Sequence, residues 1–330
     1  MNLRRPRVAV LGTGGTIAGT RPPSGTGWYR AATRGVDELL ASVPDLKQLA
    51  EVTHEQVLQI DSADMDDQRM LGLARRTSEV LASDHVDGVV ITHGTDTLEE
   101  SSYFIHLTVK SEKPVVFVGA MRPGDDLGAD GPRNLRSGVV VAASAQARGL
   151  GALVVMNDEI HTARDVAKVH TLDVSALRSP YGALGYVVGD APRFYRQPAR
   201  PHTSRTPFDA ERLGRLPMVG IVFAHAGLGP APIDALAAGC DGLVCAGFGN
   251  GYLSEPVTRA LVAARATGVQ VARASRGGIG PLVRNAGAAD DEHGFLVADD
   301  QSPAKTRILL ELGLSVTRDT AALQQMLWTY

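Results

Sequence analysis

One feature narrows the fold more than any other: short, apolar, β-branched runs alternate along the chain with longer stretches of helical period. The runs are Arg7–Gly12, Gly88–Thr92, Pro114–Gly119, Gly151–Met156, Met218–Ala224, Asp241–Ala246 and Gly268–Ala274. Most are apolar throughout, without a polar residue at every second position. Strands covered on both faces read this way, as in a parallel sheet between helices. Helical spacing predicts helices over Gln68–Leu81, Leu98–Val109, Pro132–Ala147, Leu253–Thr267, Pro303–Leu312 and Thr320–Leu327. Thr97, with Glu100 three residues on, has the pattern of a capping box. Pro132 sits in a first turn, where its missing N–H costs nothing. Strand and helix in alternation predict open, doubly wound α/β architecture with mainly parallel sheets.

At 330 residues the chain is long for one such domain and comfortable for two. The stretch Asp190–Pro217 holds five prolines and six arginines and no apolar period. Proline at that density opposes both helix and central strand. The expected division is a larger N-terminal domain over residues 1–190, a linker over 191–217 and a smaller C-terminal domain over 218–330.

Composition removes several classes. A net charge of −3 argues against a nucleic-acid partner, which usually calls for a basic excess. The apolar run Val8–Leu11 is shorter than the ~7–15 residues of a signal-peptide core. No run of ~18 apolar residues marks a membrane span. The chain is therefore expected to be soluble and cytoplasmic. Its two cysteines, Cys240 and Cys245, lie in or beside an apolar stretch and read as packed thiols rather than a disulfide or a metal pair.

Chemistry concentrates in two turns. Gly12-Thr13-Gly14-Gly15-Thr16 follows the first strand directly, and in an open α/β sheet ligands bind beyond the carboxyl ends of strands. A dinucleotide fingerprint fails because its last glycine is Ile17, and a phosphate loop fails for want of a lysine. A tight turn with no further role remains an equal reading of this segment alone. The hydroxyls of Thr13, Thr16 and Thr20 favour something more. A hydroxyl on an exposed turn can attack a carbonyl, and glycines let a substrate approach the backbone N–H groups of an oxyanion hole.

The second turn, within Gly88–Thr97, repeats the plan: strand, glycine, hydroxyl-rich tip, helix. Thr95 and Asp96 precede a helix N-terminus, where an anion is favoured. Asp96 or Thr97 could instead simply cap that helix. His93 offers itself as a base, but a lone histidine is more often structural. A nucleophile elbow and a zinc-binding His pair are both missing. Threonine, carboxylate and lysine are the machinery left.

Together these segments resemble the bacterial-type L-asparaginases, a family that includes the glutaminase-asparaginases. The resemblance is carried by Leu11–Gly19, Ile91–Thr97, Lys113–Pro123, Asp130–Asn134, Val154–Asp158, Arg164–Lys168, His202–Asp209 and Ala246–Gly251, and covers nearly the whole chain. It implies a cofactor-free, metal-free amidohydrolase that converts L-asparagine to L-aspartate and ammonia through a threonine acyl-enzyme. Thr16 would be the nucleophile and Tyr29 the lid tyrosine contacting it, with Arg21–Thr26 as a hinge. Thr95, Asp96 and Lys168 would form a second triad. Lys168 would be its base, a role that calls for burial of the amine. Ser62 would hold the substrate α-carboxylate and Asp96 the α-amino group. The carbonyl of Ala120 would accept from the amide nitrogen, and Gly15 and Gly94 would line the substrate. Asn250 would reach a neighbouring site in a homotetramer built as a dimer of dimers.

Two positions depart from the family pattern. Ala63 stands where Gln or Glu usually contacts the α-amino group, and Gly287 where many members place an acidic residue. Both losses fall on amine recognition, and an unpaired ammonium in a closed site is costly. Weaker affinity is expected, more so for L-glutamine than for L-asparagine. Two further readings stand beside the hydrolase: a glutaminase-asparaginase of broader specificity, and a non-catalytic amino-acid-binding protein on the same fold.

Overall fold

The computed structural model describes residues 4–22, 29–278 and 280–330. Most of the hinge expected at Arg21–Thr26 lies outside the described residues. The chain divides into two compact units, Met1–Glu211 and Arg212–Tyr330.

Unit 1 is built on ten strands: β1 (Arg7–Gly14), β2 (Glu51–Ile60), β3 (Gly88–Thr92), β4 (Val115–Val118), β5 (Ala152–Met156), β6 (Glu159–Thr162), β7 (Ala167–Lys168), β8 (Leu177–Arg178), β9 (Gly185–Val188) and β10 (Ala191–Phe194). Its helices are α1 (Val36–Ala41), α2 (Leu46–Leu49), α3 (Asp67–Ala82), α4 (Leu98–Thr108) and α5 (Gly131–Ala142). Eight strands form one sheet in the order β10-β9-β6-β5-β4-β3-β1-β2, with β7 and β8 paired separately. The strands β2, β1, β3, β4 and β5 run parallel. The edge β6-β9-β10 is added antiparallel.

The parallel strands are apolar throughout because both faces are covered. Val8, Val10, Val90, Val116 and Val118 pack with Val36, Leu39, Leu135 and Val139 of α1 and α5. The opposite face takes α3 and α4. Each fully buried Val, Leu or Ile contributes roughly 1.5–3 kcal/mol of hydrophobic stabilisation. The order 2-1-3-4-5 reverses direction between β1 and β3. Their carboxyl ends therefore splay open there, and that switch point is where ligands bind in such sheets.

Unit 2 is a four-stranded parallel sheet, β11 (Val219–Phe223), β12 (Gly242–Gly247), β13 (Gln270–Ser275) and β14 (Leu296–Val297). Its helices are α6 (Ala231–Ala237), α7 (Glu255–Ala266), α8 (Asp290–His293), α9 (Pro303–Leu314) and α10 (Thr320–Thr329). Ile233, Val257 and Leu261 of α6 and α7 cover one face with Leu243, Cys245 and Val271. On the other face Leu310 and Leu314 of α9 pack where Gly242 offers no side chain. The two cysteines are free, Cys245 buried and Cys240 half-buried.

Two expectations need correction. The stretch 191–217 is not a free linker. Residues 191–194 form the sheet-edge strand β10, where Pro192 is tolerated because one side of an edge strand needs no ladder bonds. The following segment is docked on α4. The Lys110 ammonium donates to the carbonyls of Thr203 (2.8 Å) and Thr206 (2.7 Å), and the His202 ring lies 4.9 Å from that of His106. The capping box at α4 does not form either. Thr97 occupies the N-cap without a side-chain cap bond, and its hydroxyl donates to the Ser62 carbonyl at 2.8 Å.

Candidate active site

Two loops meet at the switch point because neither carries a side chain at the contact. Gly15 has φ 78° and ψ −172°, a conformation open essentially to glycine alone. A Cβ there would fall inside contact with the Cα and N of Gly94 and 3.0 Å from the His93 carbonyl carbon. A Cβ on Gly94 would in turn lie 2.7 Å from Ser62 Cβ and 3.0 Å from Gly15 Cα. The loops after β1 and β3 thus touch backbone to backbone, with the Ser62 side chain of the turn after β2 packed against Gly94. Hydrogen bonds fix the junction: Gly15 N–H donates to the Ile60 carbonyl (2.9 Å) and the Thr13 hydroxyl to the Thr92 carbonyl (2.8 Å).

Each loop presents a threonine. Thr16 follows Gly15 in a buried helical turn, and its Oγ1 lies 2.8 Å from the Tyr29 hydroxyl. Thr95, buried after β3, accepts from Lys168 Nζ at 2.9 Å. The same ammonium is 2.5 Å from Asp96 Oδ1. The Lys168 side chain remains 21% exposed, so ion pairing rather than full burial surrounds its amine.

Supporting groups set the remaining walls. Asp130 accepts from the N–H groups of Met121 (3.0 Å) and Arg122 (3.0 Å), and Asn134 Nδ2 donates to the Gly119 carbonyl (3.0 Å). The fully buried Ala120 is thereby held between two fixed neighbours. The Thr97 bond to Ser62 ties the Ser62 turn to α4. Ala63 is exposed, and its N–H is already committed to Asp61 Oδ1 at 3.1 Å. His93 is not placed as a base: it is fully buried, and burial pushes its imidazole down to about 4, so the ring is neutral. Its Nδ1 faces the Gly94 carbonyl at 2.8 Å and must donate to it. Among the described residues no cluster of His, Cys, Asp or Glu could hold a metal, and no helix is long and apolar enough to cross a membrane.

This geometry has relatives. The profile "Asparaginase, N-terminal" matches residues 7–200 and "Glutaminase/Asparaginase C-terminal domain" matches residues 218–327. The chain belongs to the asparaginase family. L-asparaginase 2 of Escherichia coli (strain K12) is 45% identical over 99% of this chain and 94% of its own length. A glutaminase-asparaginase of Pseudomonas fluorescens biotype A is 44% identical over 98% of this chain and 90% of its own. A crystal structure of a probable cytoplasmic L-asparaginase from Campylobacter jejuni superposes with a TM-score of 0.95 at 40% identity, covering 99% of this chain and 100% of the other.

Within this asparaginase, unit 1 brings Thr16 together with Tyr29, Thr95 together with Asp96 and Lys168, and Gly15 together with Gly94 and Ser62. Asn250 belongs to unit 2, where its amide is engaged locally. Oδ1 accepts from Val283 N at 2.8 Å, and its carbonyl accepts from Arg273 at 3.0 Å. The neighbourhood of Gly287 is closed: a Cβ there would meet Arg273 Nη1 at 2.6 Å and the Asn250 carbonyl at 2.7 Å. The nearby carboxylates are committed. Asp290 is fully buried against Arg273 (2.5 Å), and Asp291 pairs with Arg284 and Asn285. Sequence reasoning missed Glu99, whose carboxylate accepts from the Lys168 backbone N–H at 2.6 Å and fixes β7 to α4. Its place in the first turn of α4, three residues after Asp96, was the available signal.

Proposed function

We propose that this chain hydrolyses L-asparagine to L-aspartate and ammonia, with Thr16 as the nucleophile. The observation that carries this reading is the pair of threonine assemblies at the carboxyl ends of β1 and β3, joined by the Gly15–Gly94 contact. The Thr16 oxygen attacks the side-chain amide carbonyl, and its proton leaves towards Tyr29. Backbone N–H groups around Thr16 and Thr95 stabilise the oxyanion, an effect worth about 3–4 kcal/mol of barrier where one good donor is involved. The amide nitrogen takes up a proton and departs as ammonia, leaving an ester on Thr16. A water molecule then attacks that ester, its proton passing through Thr95 to Lys168, which enters this step as the neutral amine; the proton returns to the departing Thr16 oxygen, and L-aspartate is released. Ser62 holds the α-carboxylate, Asp96 the α-ammonium, and the Ala120 carbonyl the departing nitrogen.

L-glutamine is a second, poorer substrate on this reading, since relatives are named for both amides. Homotetrameric assembly, with Asn250 serving a neighbouring site, is part of the proposal and is checked by mass photometry. So is a cytoplasmic location, checked by fractionation, since relatives carry both cytoplasmic and periplasmic names. The decisive experiment is ammonia release by Thr16→Ala, together with intact-mass detection of an acyl ester in the unmutated protein. Near-full activity in that variant sinks the nucleophile assignment. Binding of L-asparagine without ammonia release by the unmutated chain favours the binding-protein reading.

A further inference from the structure

Tyr29 is more than a third exposed, yet its hydroxyl sits 2.8 Å from Thr16. What holds it there is visible in the neighbouring backbone. Arg30, the next residue, pairs antiparallel with Thr20 through both possible bonds, at 3.0 and 2.9 Å. The Tyr29 ring packs where Gly19 lacks a side chain, since a Cβ there would lie 3.1 Å from Tyr29 Cδ2. Downstream, Ala32 N–H donates to the Gly15 carbonyl (3.0 Å) and Arg34 N–H to the Ala18 carbonyl (2.9 Å), so on its upstream side the position of Tyr29 follows that of residues 19–21.

Those residues are pinned at three points to one turn of the loop after β4. Gly124 N–H donates to the Gly19 carbonyl at 3.1 Å. The Asp125 carboxylate accepts the Arg21 backbone N–H with both oxygens, at 3.1 and 2.9 Å. Asp126 Oδ2 pairs with the Arg21 guanidinium at 2.7 Å. The turn itself is stiff: Asp126 N–H donates to the Pro123 carbonyl, Ala129 N–H to the Asp126 carbonyl, and Asp130 gathers the N–H groups of Met121 and Arg122. One exposed ion pair alone contributes little. A carboxylate accepting a backbone N–H beside an ion pair, on a rigid turn, constrains direction as well as distance.

We propose that Asp125 and Asp126 are positioning residues that act through Arg21 to hold the Tyr29 hydroxyl over Thr16. They touch no substrate atom, and their effect on rate passes through Tyr29. The inference rests on the functional reading above for its kinetic arm, and has a second arm that does not.

The test compares Asp125→Ala/Asp126→Ala in two backgrounds. With Tyr29 present, the double substitution lowers kcat/KM for L-asparagine about five-fold, mainly in kcat, the order expected for losing one exposed pair and one charged hydrogen bond. With Tyr29→Phe, the same substitution changes nothing further, because residues acting through one another are not additive. Swapping the pair as Arg21→Asp with Asp126→Arg restores part of the loss. The independent arm is the fluorine resonance of 3-fluorotyrosine at position 29, identified by its disappearance in Tyr29→Phe. It shifts in Asp125→Ala/Asp126→Ala. An equal kinetic loss in both backgrounds, no loss at all, or an unmoved resonance overturns the proposal. If the unmutated chain releases no ammonia, the hydrolase reading falls and the fluorine arm alone decides the positioning.

Discussion

Adding one methyl group at Gly15 should do more damage than almost any other change of that size in this chain. Gly15→Ala places a Cβ inside contact with the Gly94 backbone, and Gly94 itself is packed against Ser62. The backbone at φ 78° and ψ −172° is disfavoured for any L side chain by about 1–3 kcal/mol. Forcing an extra methyl into a packed junction costs about 1–3 kcal/mol more. The total, roughly 2–6 kcal/mol, corresponds to a fall in Tm of about 4–24 °C for a unit of this size. Parting the two loops also moves backbone donors away from the reacting carbonyl, a loss of about 10²–10³ in kcat. Gly72→Ala is the matched control. Gly72 is exposed in the middle of α3, and a methyl group added to it would meet nothing within 4 Å, so the substitution should stabilise by about 0.5–1 kcal/mol. Scanning fluorimetry and a coupled ammonia assay on both variants give the answer. A Gly15→Ala protein with the Tm and turnover of the unmutated chain would refute the claim that the two loops meet backbone to backbone.

Three further outcomes follow from separate parts of the molecule. Asp290→Ala strands the buried Arg273 guanidinium and should destabilise unit 2 by about 3–5 kcal/mol, seen as an early calorimetric transition; an unchanged trace would contradict the burial of that pair. His202 is held near 4 by burial and by the Arg205 guanidinium, below its unfolded value of 6.5. Its neutral form thus contributes stability that is complete above pH 6.5 and is lost as pH falls towards 4, an effect of about 1–3 kcal/mol. Urea midpoints at neutral and mildly acid pH should diverge less in His202→Gln than in the unmutated protein, with the buried His93 accounting for part of the remaining slope. Cys245 is buried, with its thiol pushed up to about 12, whereas Cys240 is half-buried. One thiol per chain should react with a disulfide reagent in the native state and two after denaturation; two native thiols would mean that β12 opens readily.

The parallel strands were legible because burial on both faces writes a continuous apolar run. All seven expected runs hold strands, with ends that agree to within two residues. β2 was not legible. Its sequence EVTHEQVLQI carries charged and polar residues along an exposed sheet edge, so it has neither an apolar run nor a clean alternation. The short antiparallel edge β6-β9-β10 escaped for a different reason: strands of four residues are too brief for any period to show. The site was half legible. Hydroxyls next to glycines marked both turns, but Lys168 became meaningful only through family resemblance, because nothing local distinguishes it from a solvated lysine. Thr97 shows the opposite failure. Its spacing to Glu100 promised a cap, and tertiary contact with Ser62 claimed the hydroxyl instead.

The switch point between β1 and β3 also sets a schedule. The bond that seals the two turns joins residues 79 apart in sequence, and the Lys168–Thr95 bond joins residues 73 apart. Contacts of that span form only after the intervening chain has been ordered, which makes parallel crossovers slow to assemble. On the ribosome, no nascent chain has a complete site before Lys168 has emerged and β7 has docked on α4 through Glu99. On the proposed mechanism, partly made chains are therefore silent until the sheet has closed around both threonines.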